Sequence, residues 1–404
     1  MMRSSPGPAG GASSGSDAYG SEPPAETKSR KPKDTPFRQQ RIKSWLPILQ
    51  PTLVSCIFLA IGVVFIPVGK WFNDQSEKVV EYSVRYDGDG ADVTGCEISD
   101  SNEGRNCTVA FDIDEDMEPP IYLYYELGNF FQNHRRYVKS RSASQLLGQT
   151  VEADADCDPL QTVEVGGVEL DLNPCGLIAN SMFNDIIKVT NAPAPFDGSD
   201  STSFMKEDLI TWAVDRDTRF SQPDDFSYVE VGSTACPTAA TSCVTCFGGD
   251  STYANCNDYT DSSGAQFKYW YPDDDEVQYL YETYPDVVSP IEGVLNEHFM
   301  VWMRTAGLPT FRKVYGRIPT ELAAGDTVEL SVTANFFVGS FDGTKTLVLS
   351  TVSSMGGRNP YLGLAYVVLG SVSLAVGVAF AVKHYLQPRR LGDTKFLVWK
   401  DTAM

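Results

Sequence analysis

Two long apolar segments stand near the ends of the 404-residue chain, Pro47–Gly69 and Tyr361–Val382, and neither contains a charged side chain. As a helix each reaches about 33 Å, enough to cross a bilayer core of roughly 30 Å. The chain is therefore expected to be a two-span membrane protein whose mass lies between its spans. The first span is expected to act as an uncleaved signal anchor, because a long polar stretch precedes it and it is too long for the apolar part of a signal peptide.

Basic residues set the orientation. Lys28, Arg30, Lys31, Lys33, Arg38, Arg41 and Lys43 precede the first span, and Lys383, Arg389, Arg390, Lys395 and Lys400 follow the second. Lys and Arg are retained on the cytosolic side, so both termini are expected there, with residues 70–360 lumenal or extracellular. Residues 71–360 carry 18 Lys and Arg against 47 Asp and Glu, a net of −29. Such a surface is well solvated and repels phosphate, which argues against a nucleic-acid partner.

The cytosolic parts differ in kind. Residues 1–35 are rich in Gly, Ser and Pro, cannot bury a core, and are expected to be a disordered tail. Residues 36–46 (PFRQQRIKSWL) mix basic and apolar groups. They read as a juxtamembrane segment lying on anionic membrane lipids or as a docking peptide, with Phe37, Arg38, Arg41 and Trp45 as the candidate contacts. Residues 383–404 form the second cytosolic tail.

The central region reads as mainly β. Val80, Tyr82, Val84 and Tyr86 alternate at period two, as do Val328, Leu330 and Val332, and Leu347 and Leu349. Ile121–Leu127 is a Tyr-rich strand. Thr162–Leu170 predicts a hairpin turning at Gly166-Gly167, where positive φ carries no steric penalty. Ile178–Ile187 and Tyr279–Tyr284 are the candidate helices.

Eight cysteines lie in this region and Cys56 lies in the first span. In an oxidising compartment they suggest up to four disulfides. Short spacing predicts a Cys96–Cys107 bridge, and the near-equal distance of Cys157 and Cys175 from the Gly166-Gly167 turn predicts a second. Cys236, Cys243, Cys246 and Cys256 fall in a Gly-, Ser- and Thr-rich insertion at 232–264, where two bridges are expected with pairing left open. Their spacing suits a zinc ribbon poorly and no His assists. Asn106-Cys107-Thr108 is the one glycosylation sequon of the loop.

Signals for chemistry are weak. The chain has three histidines, His134, His298 and His384, and no nucleophile elbow, no metalloprotease helix and no phosphorylated-aspartate motif. Gly339–Thr346 looks like a phosphate loop, but its spacing is wrong and a β-turn between strands is the better reading. Asp87–Asp92 fails the calcium-loop pattern because Ala91 stands at the fifth position. No catalytic residue, metal or cofactor is expected. In the second span Gly363, Gly370 and Gly377 recur every seven residues and form one stripe. Small residues admit a close neighbouring helix, either the chain's own first span or another membrane protein.

Five stretches carry a resemblance: Pro36–Arg41 (PFRQQR), Tyr124–Arg141, Asn173–Asp185 (NPCGLIANSMFND), Glu297–Arg317 (EHFMVWMRTAGLPTFRKVYGR) and Phe341–Gly357. With the two spans, the chain resembles the cell-division-cycle-fifty family, the non-catalytic β-subunits of type-IV P-type ATPases that flip lipids. The likeness runs from about residue 32 to 398. It implies an antiparallel β-sandwich ectodomain over the extracytoplasmic loops of a catalytic ATPase, in a heterodimer needed for that enzyme's folding, export from the endoplasmic reticulum and activity. It implies a home in the endoplasmic reticulum, Golgi, endosomal or plasma membrane. The motif residues it singles out are Asn173, Pro174, Cys175, Gly176, Asn180, Asn184, Trp302, Arg304, Pro309, Phe311, Arg312, Gly316 and Arg317, with structural or interface roles. Where relatives often carry two nested disulfides, this chain offers only Cys96 and Cys107. Two other classes share the topology. A two-span ligand-gated channel would need a selectivity ring, which the uncharged second span lacks. A free-standing adhesion or receptor ectodomain would need no membrane partner.

Overall fold

The structure, a computed structural model, describes residues 34–42, 50–149, 155–194, 196, 204–240, 242–249 and 256–388. Two 27-residue helices, Pro51–Glu77 and Pro360–Leu386, carry the apolar segments. Both are long and apolar enough to cross a membrane, and most of their surface is left uncovered by the chain itself.

Between them the described residues form thirteen strands and only short helices. The strands are β1 (Glu81–Asp87), β2 (Arg105–Asp112), β3 (Ile121–Gly128), β4 (Thr162–Val165), β5 (Val168–Asn173), β6 (Ile186–Asn191) and β7 (Ser227–Glu230). β8 (Asn257–Thr260), β9 (Gln266–Trp270), β10 (Val277–Tyr279), β11 (Phe311–Ile318), β12 (Thr327–Ala334) and β13 (Thr344–Thr351) follow. A four-stranded sheet runs β1-β13-β3-β11 and a three-stranded sheet runs β2-β12-β6, both antiparallel. The smaller sheets are β7-β9-β8 and β10-β5-β4, and β10 joins β5 in parallel.

Period-two alternation decides which side chains face inward. Ile121, Leu123, Tyr125 and Leu127 of β3 and Val328, Leu330 and Val332 of β12 are all buried, and the two larger sheets share one apolar cluster. Each buried aliphatic side chain contributes about 1.5–3 kcal/mol, so this shared core holds the two sheets against each other.

The β4–β5 hairpin turns at Gly166 and Gly167, with φ of 61° and 86°. Two consecutive positive φ values make the mirror-image turn that matches strand twist. Cys157 and Cys175, both buried, are bridged at its base, and Cys96 is bridged to Cys107. In the insertion Cys236 joins Cys246 and Cys243 joins Cys256.

One expected helix is absent. Ile178–Ile187 forms a single 3-10 turn at Ala179–Ser181 and then enters β6. Its polar groups are claimed from elsewhere. Tyr284 accepts from the Met182 amide at 3.0 Å, Tyr315 accepts from the Ile187 amide at 2.9 Å, and the Asn180 side chain donates to the Pro174 and Gly176 carbonyls. Tertiary partners thus replace the intrahelical ladder. Tyr279–Tyr284 does contain a one-turn helix, Leu280–Thr283.

The Cys157–Cys175 bridge spans a sequence separation of 18. Replacing both by Ser is expected to cost about 3 kcal/mol in the chain-entropy picture. A thermal melt of the purified double variant checks this, and an unchanged transition refutes it.

Candidate functional site

Among the described residues, three buried charges meet where the two larger sheets come together. Lys345 of β13 has no exposed surface. Its Nζ donates to Asp185 Oδ2 at 2.9 Å and to the Phe336 carbonyl at 2.8 Å. Asp87 Oδ2 also lies 2.9 Å from it, too poorly aligned for a hydrogen bond, so that contact is Coulombic. Asp185 is fully used: Oδ2 also accepts from the Tyr86 hydroxyl at 2.7 Å, and Oδ1 accepts from the Asn335 and Phe336 amides at 2.6 Å each. A bulge makes this possible. Arg85 pairs with Thr346 but Asp87 pairs with Lys345, so Tyr86 is the extra residue and both Tyr86 and Asp87 turn inward. Burial, with Asp185 beside it, pushes the Tyr86 phenol well above its ordinary range. Lys345 lies in the phosphate-loop lookalike and Asp87 in the calcium-loop lookalike, and each side chain is consumed by this cluster.

A second centre gathers the motif residues. Trp302, on the helix Glu297–Met303, is completely buried, and its indole N–H donates to the Ile178 carbonyl at 2.8 Å. Phe130, Phe311 and Phe336 surround it with ring centroids 5.7–6.3 Å away. Lys313 donates to the Val301, Trp302 and Arg304 carbonyls that end this helix, a favourable place for a cation. Burial, with Arg304 nearby, still pulls its ammonium down to about 7. Arg304 bonds Asp215 and stacks over Trp212 at 4.5 Å. Arg312 bridges Glu126 at 2.6 Å and Glu81 at 2.8 Å, and Arg317 holds Asp208. The Pro309 carbonyl accepts from the Phe130 amide at 2.9 Å.

The remaining motif residues shape backbone. Asn173 is buried ahead of a cis peptide to Pro174. Gly176 has φ of 102°, and a Cβ there would strike the Ser140 carbonyl. Gly316 lies at the bulge of β11, where a Cβ would come within 2.7 Å of Met205. Asn184 donates to Asn102 at 2.6 Å. Nothing in either centre brings a nucleophile to a base, and no group of three or more metal-ligating side chains occurs among the described residues.

Residues 73–390 match the LEM3 (ligand-effect modulator 3) family / CDC50 family. The chain belongs to this CDC50 family. It is 35% identical over 380 residues to "Putative ALA-interacting subunit 4" of Arabidopsis thaliana, covering 92% of this chain and 94% of that one. It is 34% identical over 375 residues to "Cell cycle control protein 50A" of Mus musculus, with 90% and 92% covered. It is 27% identical over 422 residues to "Phospholipid-transporting ATPase accessory subunit CDC50" of Chaetomium thermophilum, with 94% and 93% covered.

In this CDC50-family chain the glycine stripe lies against the chain's own first helix, one of the two neighbours its spacing left open. Gly363, Gly370 and Gly377 are buried against the first helix. A Cβ on Gly370 would lie 3.0 Å from Ile66, one on Gly377 would lie 2.9 Å from Leu59, and one on Gly363 would strike Asn73. A matching stripe on the first helix went unread in the sequence. A Cβ on Gly62 would come within 2.9 Å of the Gly370 carbonyl, and one on Gly69 within 2.8 Å of the Gly363 carbonyl. The seven-residue spacing of Gly62 and Gly69 was the available signal.

Of the juxtamembrane candidates, Phe37 and Arg38 fall in a short turn and Arg41 follows it, with Phe37 exposed and Arg41 bonded to Asp34 at 2.5 Å. Trp45 lies outside the described residues. Asn106 is exposed on β2.

Lys345→Met leaves two buried carboxylates without a cation. The expected cost is about 3–5 kcal/mol, lowering the melting temperature by roughly 10 °C, and a shift below about 2 °C contradicts the cluster's role. The double change Gly370→Leu and Gly377→Leu is expected to lower the melting temperature of the isolated chain in detergent, because both positions face its own helix. An unchanged melt places the stripe elsewhere.

Proposed function

We propose that this chain is the non-catalytic accessory subunit of a phospholipid-translocating P-type ATPase. The observation that carries the reading is its match along nearly the whole chain to a protein named as the accessory subunit of such an ATPase, supported by relatives named for interaction with ALA. In this reading the partner supplies ATP hydrolysis and the lipid path. The CDC50-type chain supplies a two-helix membrane seat and a disulfide-bonded extracytoplasmic domain, and assists the partner's folding, export from the endoplasmic reticulum and activity.

The remaining assignments belong to the same proposal. Both termini are cytosolic, residues 70–360 are lumenal or extracellular, and the pair resides in the endoplasmic reticulum, Golgi, endosomal or plasma membrane. Phe37, Arg38, Arg41 and Trp45 meet anionic lipid or the partner's cytosolic face. Asn106 carries a glycan, since only an extracytoplasmic sequon meets the transferase.

Gentle detergent extraction of the full-length chain is expected to bring down one large P-type ATPase in equimolar amount. Reconstituted alone, the chain is expected neither to hydrolyse ATP nor to move lipid, and either activity overturns the proposal. Glycosidase treatment is expected to raise gel mobility through Asn106. An unshifted band refutes occupancy.

A further inference from the structure

A trough on the extracytoplasmic domain concentrates positive charge in a region of strong negative charge. Its larger part, about 540 Å³, is lined by Arg141, Arg219 and Arg304 above an apolar floor that includes Phe220 and Met300. A second part, about 240 Å³, adjoins it and shares Asp215, Met300 and Arg304. Asp215 is almost completely buried, and its single carboxylate serves two guanidiniums, those of Arg219 and Arg304. Arg141 makes no ion pair with any described residue, so the three arginines and one aspartate leave the trough net positive. Residues 71–360 as a whole carry a net of −29, which makes this local excess of cations the more telling.

Apolar side chains flank the cations. Leu147 lines the first part and is 47% exposed; Trp212 lines the second and is 67% exposed. The segment that carries Trp212 is held in place. Arg304 stacks on Trp212, and Glu297 accepts from the Leu209 and Thr211 amides at 2.9 Å each. Two adjoining parts, each with an exposed apolar side chain and a shared guanidinium, suit an extended chain, and on the held Trp212 side less ordering entropy remains to be lost on binding.

We propose that this trough binds an acidic, extended segment of the partner ATPase exposed on the same side of the membrane. Its carboxylates would meet Arg141 and Arg219, and its apolar side chains would meet Leu147 and Trp212. The proposal rests on the accessory-subunit reading. Because like charges set against each other across an interface are penalised by several kcal/mol, Arg141→Glu with Arg219→Glu is expected to cut the ATPase recovered per mole of full-length chain at least roughly tenfold. Wild-type retention is expected to fall as salt rises.

The test is co-purification from membranes expressing both chains, with the melting temperature measured in parallel. Failure of the wild type to retain an ATPase sinks the accessory-subunit reading itself. Wild-type retention with equal retention by the double variant overturns only the trough proposal. If the double variant melts early, Leu147→Asp on the exposed rim replaces it; lost retention supports the proposal and full retention overturns it. Restored binding when an acidic residue of the ATPase segment is changed to Lys supports it further. If phosphatidylserine vesicles bind the wild type but not the double variant, and the variant keeps its ATPase, the trough takes lipid and the proposal is wrong.

Discussion

The ion pair between Lys345 and Asp185 joins residues 160 positions apart, and the arrangement of the two main sheets turns on it. Lys345 sits on β13 of one sheet. Asp185 immediately precedes β6 of the other and grips the two amides that follow β12. Desolvating such charges is costly, and a well-packed apolar cluster could be as stable. The charges do something an apolar cluster does less well. A strand slipped by one residue would move Lys345 or Asp87 to the opposite face and leave carboxylates buried without a cation. The penalty for a wrong register is therefore several kcal/mol, while apolar contacts tolerate repacking. The bulge at Tyr86 belongs to the same device, because without it Asp87 would not oppose Lys345.

That device was invisible in the sequence, and the reason is physical. Asp185 lies within a stretch that reads as a helix, and Lys345 stands in a turn-like Gly-Thr-Lys-Thr run. Neither position carries a local sign of burial, and only three-dimensional closure brings them together. Features written in local spacing were legible. The alternation along β1, β12 and β13, the Tyr-rich strand β3, the Gly166-Gly167 hairpin and the two apolar helices all follow from side-chain period, strand propensity and turn chemistry. Ile178–Ile187 was misread because its backbone donors are taken by Tyr284 and Tyr315, each more than a hundred positions away. Within the insertion, four closely spaced cysteines fixed no pairing, since spacing permits every combination. The arginine trough was likewise hidden, because Arg141, Arg219 and Arg304 come from three separate segments.

Chain order also explains why the two apolar helices lie side by side. The first helix ends at Glu77 and β1 begins at Glu81; β13 ends at Thr351 and the second helix begins at Pro360. β1 and β13 are hydrogen-bonded neighbours, with Glu81 opposite Ser350. Both helices thus leave the domain from adjacent strand ends, and the Asn359 amide donates to Ser76 at 2.9 Å across the junction. Antiparallel pairing of the helices follows from the sheet, and the paired glycines then let the backbones come close enough for van der Waals packing to hold them in lipid.

This coupling determines what a partner meets. Two separate anchors would move independently of the domain between them. Here β1 and β13 carry both helices, Lys345 of β13 clamps the second sheet through Asp185, and Arg312 ties β11 to Glu81 of β1 and Glu126 of β3. Trp212 and Arg304 are joined to β11 through Lys313, which bonds the carbonyls that end the helix carrying Trp302. With its glycines spent on its own pairing, the two-helix unit has only its outward faces left for a neighbour. Those faces present large side chains such as Leu364, Val368, Val372 and Trp71. Those faces offer a neighbour side-chain shape rather than charge, and the arginine trough lies in the domain between the helices.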